Sequence, residues 1–160
     1  RVDSSGNMSI GTTTADGLLH VKEAAVTDNA IVESTNDGRG YGPEVVLSRE
    51  SASPAASDGL GELIFRGQDS AGNNQAYGTI NGFISSPTSG AESGEVRIFV
   101  SQDGSLTNTI KMKDDGSLHL VPMASPPPDP DAGDIYMDTS GALCVYAAAW
   151  EKLNAAGTCA

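Results

Sequence analysis

Glycine-bearing turn dipeptides recur along this chain at intervals too short for a set of helices. Ser5-Gly6, Asp16-Gly17, Asp37-Gly38, Asp58-Gly59, Asp103-Gly104, Asp115-Gly116 and Ser140-Gly141 each punctuate a short segment. Such pairs suit tight turns because Gly, and Asp to a lesser degree, accept positive φ. Between them apolar and polar residues alternate. Residues 45–49, 62–66, 77–84, 95–100, 107–113 and 117–121 carry this period of two, the mark of a half-buried strand. No stretch holds apolar residues at helical spacing over three turns, and only residues 23–30 have any helical flavour. The pattern predicts an all-β fold, a short-stranded, β-sandwich-like module built from hairpins.

Composition then sets a puzzle. Leu, Ile, Val and Phe supply 31 of 160 residues, and the formal charge is −12 from 9 Lys+Arg against 21 Asp+Glu. A chain so poor in large apolar side chains and so charged falls on the disordered side of composition rules, against the strong strand pattern. The conflict resolves if the chain completes its core with copies of itself. The negative balance excludes a nucleic-acid binder working by phosphate neutralisation and a polybasic membrane anchor. No apolar run approaches the roughly 18–20 residues of a membrane-spanning helix, so membrane insertion is not expected. The chain opens on Arg1 without a signal-peptide pattern, as a trimmed or partial product of a longer protein would.

Three regions are expected: a β-rich module over 1–121, a Pro-rich linker over 122–133 and a small β-meander over 134–160. The linker holds five prolines, which exclude helix and central strand and favour an extended connection. The meander carries the only Trp, and some 20 residues of meander cannot bury it unaided. One internal echo stands out. Residues 2–10 and 112–120 both read apolar, polar, two turn residues, Gly, polar, apolar, polar, apolar. Each spells a strand end, a hairpin turn and a second strand. Their separation of 110 residues is too long for a solenoid repeat and fits a tandem fibre module.

Residues 61–72, continuing through Tyr77-Gly78-Thr79-Ile80-Asn81-Gly82, resemble a segment of tailed-bacteriophage tail-fibre proteins. In that family a G-x-I-x-F-x-G-x-D-x-x-G strand and turn precede a Y-x-x-I-x-G strand. Residues 93–100 and 106–112 are similar to the two segments that follow there, and residues 1–13 to the family's D-S-S-G-N-V-G-I-G-T-T pattern. The stretch from Gly133 to Trp150 is similar to a small C-terminal hairpin unit of such proteins. The resemblance covers most of 1–121 and, more loosely, 133–153. It implies an intertwined homotrimer in a virion tail or on an extracellular surface. Its implied partners are a host cell-surface glycan or protein and other virion tail proteins. Many such fibres end in a self-cleaving chaperone domain, and nothing here resembles its Ser/Lys/Asp region.

Candidate sites are few. Tyr136, Tyr146 and Trp150 cluster in the predicted meander and are candidates for a receptor surface or a trimer seam, with the seam favoured because aromatics are the largest apolar contribution available. Cys144 and Cys159 allow a single intrachain bridge near the C-terminus, which would point to an oxidising exterior; free buried thiols are the alternative reading. His20 and His119 occupy similar strands and could meet copies of themselves on a three-fold axis. Metal sites want several convergent ligands, so outward polar positions are the favoured reading and no metal or other cofactor is expected. Asp114-Asp115 and Asp129/Asp131/Asp134 fit no calcium-loop spacing and read as solvated turns. No nucleophile elbow or phosphate loop occurs, and no enzymatic activity is expected. Two rival readings stand beside the tail fibre. One is a bacterial or archaeal filament subunit polymerising head to tail, compatible with the matching terminal hairpins. The other is a tail-spike-like polysaccharide depolymerase, which would need a carboxylate pair that the sequence does not nominate.

Overall fold

The computed structural model describes residues 1–23, 30–35 and 37–153. Among them every regular element is a strand, and the chain is all-β. It divides into two compact units, Arg1–Val46 and Leu47–Ala160. Most of the stretch 23–30, with its helical flavour, lies outside the described residues.

The first unit holds a two-stranded parallel sheet, β1 (Met8–Ile10) with β2 (Leu19–Val21). Val2 bridges Met8 from the other side, so the chain enters through the hairpin read from the sequence. The parallel pairing was not legible, because Asp16-Gly17 signals a hairpin. It depends on Gly11, at φ +74°, where a Cβ would lie 1.9 Å from the Lys22 carbonyl oxygen. Only glycine permits that approach. Beyond β2 the described part of this unit is irregular.

The second unit contains two sheets. Strands β3 (Gly59–Gln68), β4 (Asn74–Ser86), β5 (Ser93–Gln102), β6 (Ser105–Met112) and β7 (Leu118–Leu120) form an antiparallel sheet in strict chain order. Strands β8 (Ile135–Met137), β9 (Leu143–Tyr146) and β10 (Trp150–Lys152) form an antiparallel meander. Residues 45–49 alternate but form no strand. Leu47 instead packs over Gly61, where a Cβ would come within 2.5 Å of the leucine Cβ. Arg49 donates to the Gly59 carbonyl at 3.1 Å and pairs with Asp58 at 3.3 Å.

The turns share one construction. In Asp3–Asn7, Asp69–Asn73, Lys113–Ser117 and Asp138–Ala142, the first residue's N–H donates to the fifth residue's carbonyl. The fourth residue, a glycine with φ between +80° and +84°, donates to the first residue's carbonyl. This is a three-residue hairpin loop with glycine in the left-handed region. Where the first residue is Asp, its carboxylate also accepts the backbone N–H groups of the third and fifth residues. Lys113 cannot do this, and Asp115 takes over by accepting from the Ser117 N–H and hydroxyl. The β5–β6 link is tighter, with Asp103 and Gly104 both at positive φ, as a two-residue hairpin requires.

Residues paired across a sheet point to the same face. Leu63, Ile80, Ile98, Ile110 and Leu120 therefore form one aliphatic row across all five strands. Gly61, Gly82, Val96, Met112 and Leu118 form the next row on that face, and Phe65, Gly78, Val100 and Thr107 the row on its other side. None of these residues is charged. The opposite face carries the row Glu62, Asn81, Arg97, Lys111 and His119. There the Arg97 guanidinium lies 4.1 Å over the Phe83 ring and pairs with Glu95.

Candidate functional site

The buried hydrophobic core among the described residues lies in the meander. Tyr136, Ala142 and Cys144 are buried there, with Met123 and Trp150 packed against them. The three predicted aromatics come together. The Tyr136 and Trp150 rings meet edge to face at 4.7 Å, and Tyr146 lies 5.3 Å from Trp150. Tyr136 is 4% exposed, so its ring is an internal support, and burial pushes its hydroxyl pKa upward. Tyr146 and Trp150 keep partial exposure. Within the meander two tyrosines flank the indole, and Trp150 still stays only partly buried.

Local chemistry explains how so short a meander holds its shape. Asp138 begins the β8–β9 turn and is almost fully buried. Its carboxylate accepts from the Ser140 hydroxyl and N–H and the Ala142 N–H, and pairs with Lys152 on β10 at 3.6 Å. Led by the Ser140 hydroxyl, these donors hold its pKa below the usual carboxylate value. One carboxylate thus ties all three strands. Met123, at the edge of the Pro-rich stretch, bridges Asp138 in parallel and donates its N–H to the Met137 carbonyl at 2.8 Å. The proline-rich composition conceals this contact. Cys144 is disulfide-bonded and fully buried, and Cys159 lies outside the described residues.

Between the meander and the five-stranded sheet lies a cavity of about 300 Å³. Ile110 and Leu120 from the aliphatic row form one wall, and Pro122, Ile135 and Tyr136 contribute to the other. The meander thereby shields one corner of the apolar face. Leu47 lies over Gly61, and much of the remainder stands open: Leu63, Phe65, Met112 and Leu118 are 51–65% exposed. Fully covering a side chain of this kind is worth about 1.5–3 kcal/mol. Sequence patterning alone does not reveal this face. Its only signal there is alternation within single strands, and its continuity depends on register, including the bulge at Ile98/Phe99.

The remaining candidates are dispersed. His20 pairs with Ser9 in the parallel sheet, and its Nδ1 accepts the Asp16 N–H at 3.2 Å. His119 sits opposite Lys111 on the charged face. No group of three or more metal-ligating side chains gathers among the described residues. Among the acidic candidates, Asp115 is engaged in its turn, and Asp134 accepts the Asp131 N–H at 2.9 Å. No helix among the described residues is long and apolar enough to cross a membrane. No protein-family description matches the chain, and no curated protein is significantly similar to it.

Proposed function

We propose that this chain is a structural and adhesive subunit of a homotrimeric, tail-fibre-like rod that projects from a viral particle and contacts a host surface. The observation that carries the reading is the uncovered apolar face of the five-stranded sheet. A single chain leaves much of a charge-free face of three rows in water. Monomeric soluble proteins rarely expose large contiguous apolar patches, and larger ones mark interaction sites. Three copies turning this face inward would supply one another with the second layer of a sandwich, and a small apolar content per chain would then be enough. The charged opposite face would point outward and keep the rod soluble. Threefold display would give weak contacts to a host glycan or protein the benefit of avidity. The viral setting rests on the sequence resemblance. Tyr146 and Trp150, the exposed part of the aromatic cluster, are the proposed contact residues, at the seam or at a receptor.

Native mass measurement and sedimentation across a dilution series test the assembly. A discrete trimer is expected. A cooperatively melting monomer at every concentration overturns the reading. One observation favours the head-to-tail filament as a second reading: the hairpins at 2–8 and 112–118 are bonded alike. An open-ended mass series would select it.

A further inference from the structure

We propose that the outer edge of β7 receives segment 18–22 of a second copy of this chain as a parallel strand, a contact that rests on the reading that the chain self-associates. The two echo hairpins share the same backbone hydrogen bonds in their turns. Val2 bridges Met8 as Met112 pairs with Leu118. Asp3 N–H donates to the Asn7 carbonyl and Lys113 N–H to the Ser117 carbonyl, both at 3.0 Å. Gly6 and Gly116 close the turns at φ +83° and +80°.

In the first hairpin the outer edge is occupied. Arg1 and Ser9 exchange bonds at 2.6 and 2.8 Å, which turns the backbone groups of Met8 and Ile10 away from the hairpin. There the Met8 N–H donates to the Leu18 carbonyl at 2.7 Å, and the Ile10 carbonyl accepts the Lys22 N–H at 2.9 Å. Strand β2 fills the edge. In the second hairpin the ladder has the same phase, since Val121 N–H donates to the Thr109 carbonyl at 3.1 Å beyond the Lys113–Ser117 bond. Leu118 and Leu120 therefore turn their backbone groups outward in turn, and there the sheet order ends. The β7 edge is the β1 edge with its neighbour removed.

The occupant follows from what fits the first edge. In the β1–β2 register Leu19 stands opposite Met8, so on β7 it would stand opposite Leu118. These leucines are 63% and 65% exposed in the single chain, and each would cover the other. Release of β2 costs little, because a two-stranded sheet of this length is marginal by itself. On β7 it becomes the sixth strand of a larger sheet. Such a head-to-tail exchange closes into a ring when the rotation between copies divides the circle, and otherwise continues as a filament.

The test mixes full-length chains carrying only Leu19→Cys with chains carrying only Leu118→Cys. Adjacent strands hold Cα atoms within disulfide reach, so a cross-link between the two variants is expected. A second measurement uses L118P. Proline is tolerated where a strand N–H faces outward, so the hairpin is expected to persist while association weakens at least tenfold. Slowed hydrogen exchange of the Leu118 amide in the associated wild type supports the same contact without any substitution. Association that persists with no cross-link and with a freely exchanging Leu118 amide overturns the β7 contact and leaves self-association standing. Absence of association at any concentration overturns both.

Discussion

The three-stranded meander and the five-stranded sheet divide the second unit unequally. The meander has strands of three or four residues, yet it holds the buried hydrophobic core found among the described residues. The sheet has strands of up to thirteen residues and leaves most of its apolar face open. Sheet size therefore does not set burial here. The meander folds its aromatics onto each other and ties its strands through one buried carboxylate. The sheet is flanked by turns that satisfy themselves, but among the described residues the meander and Leu47 cover only part of its apolar face. One region buries a core within the chain, and the other leaves most of an apolar face exposed.

Four measurements sharpen or break this contrast. The largest expected effect comes from Leu63→Asp, which places a charge in the aliphatic row. At a site that stays in water such a change stays within about 0.5 kcal/mol. At a face buried between copies, a charge without a partner costs on the order of 3–5 kcal/mol. Concentration-dependent melting is expected to show the larger loss together with dissociation; an unchanged melting curve would mean that nothing covers the row. Trp150→Ala comes next. It removes the ring between Tyr136 and Tyr146, and because the indole is only partly buried the cost is about 2–3 kcal/mol. A loss equal at all protein concentrations would place Trp150 at a receptor surface outside the seam. A loss that grows on dilution would instead place Trp150 in a seam between copies.

Reduction of the disulfide at Cys144 is expected to cost about 2 kcal/mol, at the low end for such bonds because the meander has other ties. Hydrogen exchange would localise the effect, with faster exchange in β8–β10 and little change in β3–β6. Uniform loosening of both sheets would erase this contrast. The smallest effect is the acid response of the turns. Asp115 is pushed down to about 2, chiefly by the Ser117 hydroxyl and then its N–H, and Asp3, Asp69 and Asp138 are also lowered. A depressed folded-state pKa contributes stability above the unfolded value of 3.8 that is lost as pH falls toward the folded one. Stability is therefore expected to be level above about pH 5 and to fall between about pH 4 and 2. Asp115→Asn is expected to flatten part of that slope in acid melts, and an unaltered slope would remove Asp115 from the account.

The sequence made some of this visible. Strands β3, β4 and β5 could be read because alternation and Asp-Gly punctuation agree, and tight antiparallel turns need no distant information. The echo of 2–10 in 112–120 is visible because its turn chemistry is local. Residues 45–49 have the same alternation but form no strand, since a strand needs a neighbour and Leu47 is engaged over Gly61. The parallel pairing of β1 with β2 is hidden because its determinant is a close approach at Gly11. Tyr136, Tyr146 and Trp150 lie on consecutive short strands, which leaves them few other neighbours. Met123 is hidden in the sequence because prolines surround the segment that contacts β8. The aliphatic row could not be assembled from sequence, because bulges at Gly59/Gly61 and Ile98/Phe99 decide which residues align.

In the large sheet every strand lies beside the next one along the chain. Its contacts are therefore short in sequence separation, and domains rich in local contacts form quickly. Each hairpin can close as soon as its second strand has been synthesised, guided by a turn that satisfies its own polar groups. The sheet can thus take shape within one chain, and on the proposed reading a sibling would dock on a prepared surface rather than meet an unfolded one.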